Sequence, residues 1–381
     1  MGKINRATAA VSAAVSAVAA IAAGALVAGA PGAGARQASL RPFIGRFHAI
    51  STIASTVPKN GDVNPYGVAV VQRSTGSLHR GDVLVSNFNN SKNRQGTGTT
   101  IVEATPRGKV TLFAKINAAG LPGSCPGGIG LTTALSVLSS GWVIVGSLPT
   151  TDGTSATARA GCLLVLDSYG RVRETFSGHG INGPWDMTAL DFGRSADLFV
   201  TTVLNGTVAA GGKVVNRGTV LRLLVTIPGH GTPRLRAITT IGSGFAEKTD
   251  PAALVIGPTG AGLGLNGTVY VADTVNSRIT AIPQAVFRQG SAGTGLTVSN
   301  GGALNGPLGL AIAPGGDVLT VNSGDGNIVE TTPAGTQVAT KALDSSGSPP
   351  GAGALFGLAV APQGGGVYFV DDATNQLDLL H

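Results

Sequence analysis

The sequence predicts an all-β protein, folded as a six-bladed β-propeller of four-stranded antiparallel blades. Six similar openings recur along the chain at intervals of roughly 50 to 70 residues, and a β-rich segment ending in a small polar residue follows each one. The two chain ends supply complementary parts of one further unit. Four-stranded units repeated six times are typical of a propeller, in which each blade packs between two neighbours.

The first 35 residues are predicted to be a signal peptide (1–35). Lys3 and Arg6 are their only charged residues, an Ala/Val-rich run follows, and Ala33-Gly34-Ala35 offers a small-x-small cleavage site. An uncleaved membrane anchor is the alternative, because the run is about long enough to span a bilayer. No second apolar run of that length follows. We therefore expect a protein secreted to the extracellular or periplasmic/cell-wall space, with no membrane span after signal cleavage.

A short exposed spacer (36–42) and a single propeller domain (43–381) are expected next. The predicted openings are NPYGVAV (64–70), the segment 125–131 that starts with Cys125, GPWDMTAL (183–190), DPAALVI (250–256), GPLGLAIA (306–313) and ALFGLAVA (354–361). The predicted second strands are DVLVSN (82–87), WVIVGS (142–147), DLFVTT (197–202), TVYVAD (268–273), DVLTVN (317–322) and GVYFVD (366–371).

The third and fourth strands of a unit are joined by a turn, as in GCLLVLDSYGRVRETF (161–176), where Ser-Tyr-Gly supplies the turn residues. The sixth unit stops at His381 after three strands, whereas FIGRFHAISTIAS (43–55) precedes the first unit. We expect this N-terminal strand to complete the last blade, because that pairing protects edges that would otherwise be open.

Charge and cysteine content restrict the classes of partner. The formal net charge of +7 is spread along the chain without a run of like charges, so no specific nucleic-acid binding is predicted. Cys125 and Cys162 are the two cysteines, and in an exported chain they predict one structural disulfide. That bridge would pin the 148–160 loop to the rim of the channel. We expect a monomer.

Units 1, 2 and 3 carry long connections between their second and third strands, at 87–98, 148–160 and 203–218. Long irregular loops on a rigid scaffold commonly bind ligands, so this face is a predicted binding surface; tolerated surface insertion is the alternative. The candidate ligand-binding residues on or beside these loops are Asn87, Asn89, Arg94 and Asn205. Asn87 ends a second strand, where side chains also commonly close Asx-type turns.

Asp186 differs from the equivalent residue of the other openings, taken as Gly67, Gly130, Ala253, Gly309 and Gly357. We expect it at the channel mouth beside Trp185 and below the loop that carries His179 and Asn182. A carboxylate there could be a metal ligand, a general base or an acceptor for substrate hydroxyls, with Trp185 as a stacking surface. Alternatively, Asp186 caps backbone N–H groups of the inter-blade loop.

TVYVADTVNSRITAI (268–282) resembles the NHL repeat, and Gly-Pro-x-Gly-Leu-Ala is similar to the opening of NHL blades. The resemblance implies a six-bladed propeller of the gluconolactonase/TolB-like superfamily in the broad sense, similar to secreted propellers without a defined activity. Gluconolactonase-like enzymes hold a divalent metal with Glu, Asn and Asp at the channel mouth. Asp186 matches the Asp, but Asn64-Pro65 stands where the Glu is expected, so no cofactor is identified, although a divalent cation at the channel mouth is possible.

Two other enzyme groups of this fold class fit less well. Virginiamycin B lyase-like enzymes use a Glu-x-His pair that is missing, and amidating lyases use three His residues that this chain does not bring to one face. Two hypotheses remain. The first is a binding or scaffold module that holds a peptide, glycan or protein on the face of blades 1–3. The second is a hydrolase or lyase with Asp186 and His179 as catalytic groups, which requires both side chains to meet in one cavity.

Overall fold

The computed structural model describes residues 41–381 and shows an all-β protein. Six antiparallel sheets surround a central axis, and their innermost strands contact one another in a closed ring. The six-bladed β-propeller predicted from the repeat is therefore confirmed.

Blades 1 to 3 follow one another along the chain, each running from its inner to its outer strand. Blade 1 consists of β2 (Val63–Val70), β3 (Val83–Asn89), β4 (Thr100–Ala104) and β5 (Val110–Lys115). Blade 2 consists of β6 (Leu131–Val137), β7 (Val143–Ser147), β8 (Cys162–Leu166) and β9 (Val172–Phe176). Blade 3 consists of β10 (Gly183–Asp191), β11 (Ser195–Val203), β12 (Val215–Thr226), β13 (Arg234–Asp250) and a short fifth strand, β14 (Leu254–Ile256).

Blades 4 and 5 have the same four-stranded order, and blade 6 joins the two ends of the chain. Blade 4 consists of β15 (Pro258–Leu263), β16 (Val269–Asp273), β17 (Arg278–Ile282) and β18 (Leu296–Asn300). Blade 5 consists of β19 (Pro307–Ile312), β20 (Val318–Asn322), β21 (Asn327–Thr331) and β22 (Gln337–Ala342). Blade 6 consists of β23 (Leu355–Val360), β24 (Val367–Asp371), β25 (Gln376–Leu380) and β1 (Ile50–Ser55). Single-turn 3-10 helices lie at Ile44–Arg46, Ala118–Gly120, Ser155–Thr157, Thr274–Asn276 and Pro362–Gly364.

The N-terminal strand closes the ring, as the sequence predicts. Strand β1 pairs antiparallel with β25, with Ile50 opposite Leu380 and Ser55 opposite Gln376. The segment before β1 also reaches blade 5, where the backbone N–H groups of Phe43 and Ile44 donate to the Glu330 carboxylate at 2.7 and 2.8 Å. We call Phe43 and Ile44, with their contacts to Glu330, the latch. The latch joins blades 5 and 6, and β1 protects the outer edge of β25.

The expected opening of the fourth unit is wrong. Residues 250–256 do not form the inner strand of blade 4; they form the end of β13 and then β14, which pairs back onto β13. The inner strand of blade 4 is β15, which starts at Pro258. Ala253 was misplaced because DPAALVI has the same run of Pro and small apolar residues as a true opening, and this short-range pattern does not specify the pairing partner.

The hydrophobic core is divided among the interfaces between blades. Leu84 and Ile101 of blade 1, for example, pack in one cluster with Val143 and Leu164 of blade 2. Each such interface buries the alternating apolar residues of two sheets, as in sheet-on-sheet packing elsewhere. The blades are thus fixed against each other, and the loops at both ends of the ring rest on a rigid framework.

The predicted disulfide between Cys125 and Cys162 is present, with the two Cα atoms 5.1 Å apart. Cys162 starts β8, and Cys125 lies in the segment that leads into β6. Beside the bridge, the Gly127 N–H donates to the Ala160 carbonyl at 2.7 Å. The end of the 148–160 loop is therefore held against the start of blade 2.

Replacing both cysteines by serine should lower the free energy of unfolding by about 4 kcal/mol, because the bridge closes a 37-residue separation and so restricts the unfolded chain. Denaturant unfolding of the Cys125→Ser/Cys162→Ser variant beside the oxidised wild type measures this loss. An unchanged unfolding midpoint would show that the bridge is dispensable.

Within residues 41–381, no helix has the length and hydropathy needed to cross a membrane. The predicted signal peptide (1–35) and residues 36–40 of the predicted spacer lie outside the described residues.

Candidate functional site

The inner strands line a central channel, and each has a β-bulge near its start. In blade 3 the register shifts between Pro184 and Met187, around Asp186. At the corresponding Gly309 and Gly357, an added Cβ would clash with the backbone oxygen of the next inner strand. Neighbouring strands therefore approach too closely for a side chain at these two positions, whereas blade 3 accommodates one.

Two of the expected equivalents of Asp186 are corrected by the strand register. In blade 4, Pro258 pairs with Asp273 as Pro307 pairs with Asn322 in blade 5, so the equivalent residue is Gly260 and not Ala253. In blade 2, Leu131 pairs with Ser147, which puts Thr133 rather than Gly130 at that position. Asp186 remains the one carboxylate in the set.

The carboxylate of Asp186 joins blade 3 to blade 4. Its Oδ1 accepts the N–H of Met187 at 2.8 Å, and its Oδ2 accepts the N–H of Ala261, on the inner strand of the next blade, at 2.9 Å. The residue is 7% exposed. Burial raises the pKa of Asp186 to about 7, and the two backbone donors only partly oppose that shift. The carboxylate thus caps backbone N–H groups, but these belong to the inner strands of blades 3 and 4 and not to the inter-blade loop of the expected alternative.

Asp186 also lines a cavity of about 290 Å³ in the channel. Most of the side chains that line it are apolar, and Thr133 and Thr188 are the other polar ones. Inner strands such as β19 and β23 are buried at their first residues and half-buried at their last. The cavity is therefore accessible from the end of the channel opposite the long loops.

An aromatic cluster closes the channel on the side of the long loops. The Tyr66 ring stacks on Phe356 with centroids 3.9 Å apart and on Phe88 at 4.3 Å, and Trp185 lies 6.1 Å from Tyr66. The Trp185 indole N–H donates to the Val255 carbonyl of β14 at 2.8 Å. We call Tyr66, Phe88, Trp185 and Phe356 the aromatic plug.

The position of the aromatic plug contradicts the expected placement of Asp186 and Trp185. The expectation that Asp186 sits at the channel mouth below the long loops is wrong, because the aromatic plug separates it from them. Trp185 is 2% exposed and packs within the hydrophobic core. It offers no free face for a ligand to stack on.

His179 does not meet Asp186. It is exposed and lines a different cavity, on the flank of blade 3, together with Leu235, Arg236 and Thr240. Its positive φ of 50° belongs to a tight turn, in which Ile181 N–H donates to the Gly178 carbonyl. The convergence that the enzyme hypothesis requires is absent from this structure.

Asn87 and Asn89 lie inside the packing and not on a loop surface. The Asn87 side-chain amide donates to the Thr56 carbonyl at 3.0 Å, and the residue has no exposed area. The Asn89 amide donates to Asn93 Oδ1 at 2.6 Å within the loop. The Asn87 side chain therefore ties the end of β3 to the segment after β1, and the Asn89 side chain orders the 87–98 connection.

Asn182 and Asn205 bind each other. The Asn182 amide donates to Asn205 Oδ1 at 2.7 Å, and the Asn205 N–H donates to Glu247 Oε1 at 2.8 Å. Burial raises the pKa of Glu247 to about 7. These residues connect the loop before blade 3 to its outer strand, and both asparagines remain half-buried.

Arg94 is exposed at a place where three segments meet. The 87–98 loop contacts the 148–160 loop through the Thr150 N–H, which donates to the Gly96 carbonyl at 2.9 Å. It contacts the β13–β14 turn through the Gln95 amide, which donates to the Pro251 carbonyl at 2.7 Å. Between these segments lies a cavity of about 320 Å³, which we call the loop cavity; its lining includes Gln95, Thr154, Ser155, Thr249 and Asp250.

Gln95, Thr154 and Ser155 lie on the two long loops that the sequence analysis predicts as a binding surface, although none of the three is singled out there. Thr249 and Asp250 are not part of that prediction, because the expected fourth opening starts at Asp250. The aromatic plug, in contrast, could be recognised from the sequence. Its residues Tyr66, Trp185 and Phe356 each stand directly before the Gly or Asp of an opening.

No family profile matches the sequence, and no curated protein matches it either. The fold is similar to that of solved structures. A gluconolactonase from Xanthomonas campestris has a TM-score of 0.52 and 13% identity over 87% of this chain and 88% of that chain. A protein assigned as a glucose dehydrogenase from Thermus thermophilus has a TM-score of 0.52 and 13% identity, with 87% and 99% covered. A second protein assigned as a gluconolactonase has a TM-score of 0.51 and 15% identity, with 89% and 95% covered.

At these identities the similarity shows the fold alone. The chain is a six-bladed propeller of the kind found in gluconolactonase structures. The resemblance to NHL repeats stays a prediction.

Proposed function

We propose that this protein is a binding module, which holds a peptide or glycan in the loop cavity on the face of blades 1–3. The observation that carries the proposal is the meeting of three distant segments around one polar cavity. The predicted signal peptide and the disulfide fit an exported, monomeric protein, because structural disulfides persist in oxidising compartments.

The walls of the loop cavity are preorganised. Thr150 ties the loops of blades 1 and 2 together with its N–H and its hydroxyl group, which donates to the Gln95 carbonyl. Gln95 ties the blade 1 loop to the Pro251 and Ala252 carbonyls. A ligand therefore meets loops that are already ordered, which reduces the entropy lost on binding.

The lining of the loop cavity suits a neutral polar ligand. Hydroxyl groups from Thr154, Ser155 and Thr249 supply donors and acceptors, and Asp250 is the carboxylate. Gln95 adds its side-chain oxygen as an acceptor, because its amide N–H groups already donate within the protein. Its volume of about 320 Å³ lies at the small end of the range for ligand pockets. Such a lining recognises the hydroxyls of a glycan or the amides of a short peptide.

A hydrolase or lyase centred on Asp186 is the second candidate. Its support is the pKa of about 7 of a carboxylate that lines a 290 Å³ cavity, since a group of that pKa can exchange protons at neutral pH. Against it, both carboxylate oxygens already accept backbone N–H groups, and His179 lies on another surface. The binding module is therefore the better supported function.

Binding of the mature chain (36–381) to glycan and peptide arrays tests the proposal. We expect the wild-type chain to bind at least one glycan or peptide of the arrays. Its affinity for that ligand should fall at least tenfold in Ser155→Trp, because an indole would fill the loop cavity. The matched control is Thr340→Trp on the outer strand of blade 5, which should keep the affinity. Equal affinity of wild type and Ser155→Trp would contradict the proposal, and turnover of a lactone or glycoside that Asp186→Asn abolishes would favour the second candidate.

A further inference from the structure

The geometry points to a divalent transition-metal site, of the zinc class, formed by His79, Asp82 and Glu103. The three residues lie in blade 1, at the end of the propeller opposite the loop cavity. This site is separate from the channel and from the binding function proposed above. One ligand atom from each residue lies within 4.8 Å of those of the other two.

The chain holds these three residues in a defined arrangement. His79 and Asp82 belong to the connection between β2 and β3, which is folded back on itself by paired hydrogen bonds between Thr75 and Leu78 and by the Asp82 N–H, which donates to the His79 carbonyl at 3.1 Å. Glu103 lies on β4 and accepts the His79 N–H at 3.0 Å through Oε1. The ligand set therefore does not depend on a freely moving loop.

The distances suit one small ion after a minor contraction. His79 Nδ1 lies 3.7 Å from Glu103 Oε1 and 3.9 Å from Asp82 Oδ2. Zinc holds nitrogen and oxygen ligands at about 2.0–2.2 Å, so two ligands of a tetrahedral site are about 3.4 Å apart. The two His79 pairs are wider than that by a few tenths of an ångström, and the Asp82–Glu103 pair lies within 4.8 Å, so binding requires a small inward movement of the side chains.

Within the described part of the chain, His79 supplies the one donor to these carboxylates, through its backbone N–H to Glu103 Oε1. Asp82 is 8% exposed and Glu103 is 4% exposed. The Asp82 carboxylate accepts no hydrogen bond, and Glu103 Oε2 accepts none, among residues 41–381. No Lys or Arg of that range lies within 4 Å of either group.

Buried carboxylates of this kind are costly without a cation. A divalent ion would compensate both charges at once and would use the otherwise unpaired oxygens.

The donor set selects the class of ion. One imidazole nitrogen and two carboxylate oxygens suit zinc and similar transition metals, whereas calcium and magnesium prefer oxygen ligands throughout. The His79 side chain is 70% exposed, so a fourth coordination position faces solvent and can hold a water molecule. Three protein ligands and one water form a common open zinc site.

Metal titration of the chelator-treated mature chain tests the site. We expect one equivalent of Zn²⁺ to bind, and Co²⁺ to give the visible absorption bands of a tetrahedral or five-coordinate ion. A hundredfold excess of Zn²⁺ over the dissociation constant should raise the melting temperature by about 3 °C.

His79→Ala should weaken Zn²⁺ binding by at least tenfold without loss of fold, because His79 is exposed. His230→Ala, at another exposed histidine, is the matched control and should bind as the wild type does. Glu103→Gln tests a second ligand, with circular dichroism to confirm that it is folded. Absence of stoichiometric Zn²⁺, equal loss in the His230→Ala control, or tighter binding of Ca²⁺ than of Zn²⁺ would overturn the proposal.

Discussion

A chain that begins at residue 56 is expected to lose its cooperative fold and to aggregate. Deletion removes β1 and leaves the backbone groups of β25 as an open edge, which is a template for intermolecular pairing. It also removes Ile44 and Phe47 from the core and strips the buried Glu330 of both backbone donors. The combined loss is on the order of 8 kcal/mol, which is comparable to the whole stability of an ordinary domain.

The measurement compares the 56–381 chain with a 41–381 chain, which keeps the latch and β1. Size-exclusion chromatography and thermal unfolding report aggregation and stability. The longer chain should be monomeric with a sharp transition. A monomeric 56–381 chain with the same melting temperature would contradict the closure of blade 6 by β1.

The stability of the protein should fall as pH rises from 4 to 7, and Asp186 should account for about 3 kcal/mol of that fall. Its folded-state pKa of about 7 lies above the ordinary aspartate pKa of 3.8. Between these values the folded chain keeps a proton that the unfolded chain releases, so acid favours the folded state. Well above pH 7 the carboxylate is ionised in both states and the loss is complete.

Denaturant unfolding at pH 4.5 and pH 7.5 measures this effect as the difference between wild type and Asp186→Asn. The difference between the two pH values should shrink by about 3 kcal/mol in the variant, because an amide does not titrate in this window. Asp152→Asn removes the same charge from an exposed loop and should keep the wild-type difference. Identical pH dependence in wild type and Asp186→Asn would show that the carboxylate is ionised throughout.

The fold could be predicted from the sequence because the patterns that specify its strands and turns are short-range. Each second strand, such as TVYVAD at 268–273, is a run of β-branched and aromatic residues between turns, and all six lie in the second strands of the blades. The repeat then fixed the number of blades. The strand at 50–55 could be assigned to the last blade because a ring needs both ends to meet.

Only part of the candidate site could be predicted from the sequence. Asp186 was recognisable as an exception within the repeat, but its partner, the N–H of Ala261, lies on the next blade and 75 residues away in sequence. His179 is close to Asp186 in sequence, yet a tight turn directs it to the flank of blade 3. The His79, Asp82 and Glu103 group depends on how the β2–β3 connection folds back toward β4.

The sequence by itself determined the kind of sheet, the six blades, the closing strand and the cysteine pair, because each depends on local patterns or on a count of repeats. The tertiary structure alone decided that β14 and the aromatic plug close the channel toward the long loops, and that Asp186 faces the opposite end. Which groups share a cavity depends on strand register and on the packing of neighbouring blades. Those contacts join residues far apart in the chain, and no short stretch of sequence encodes them.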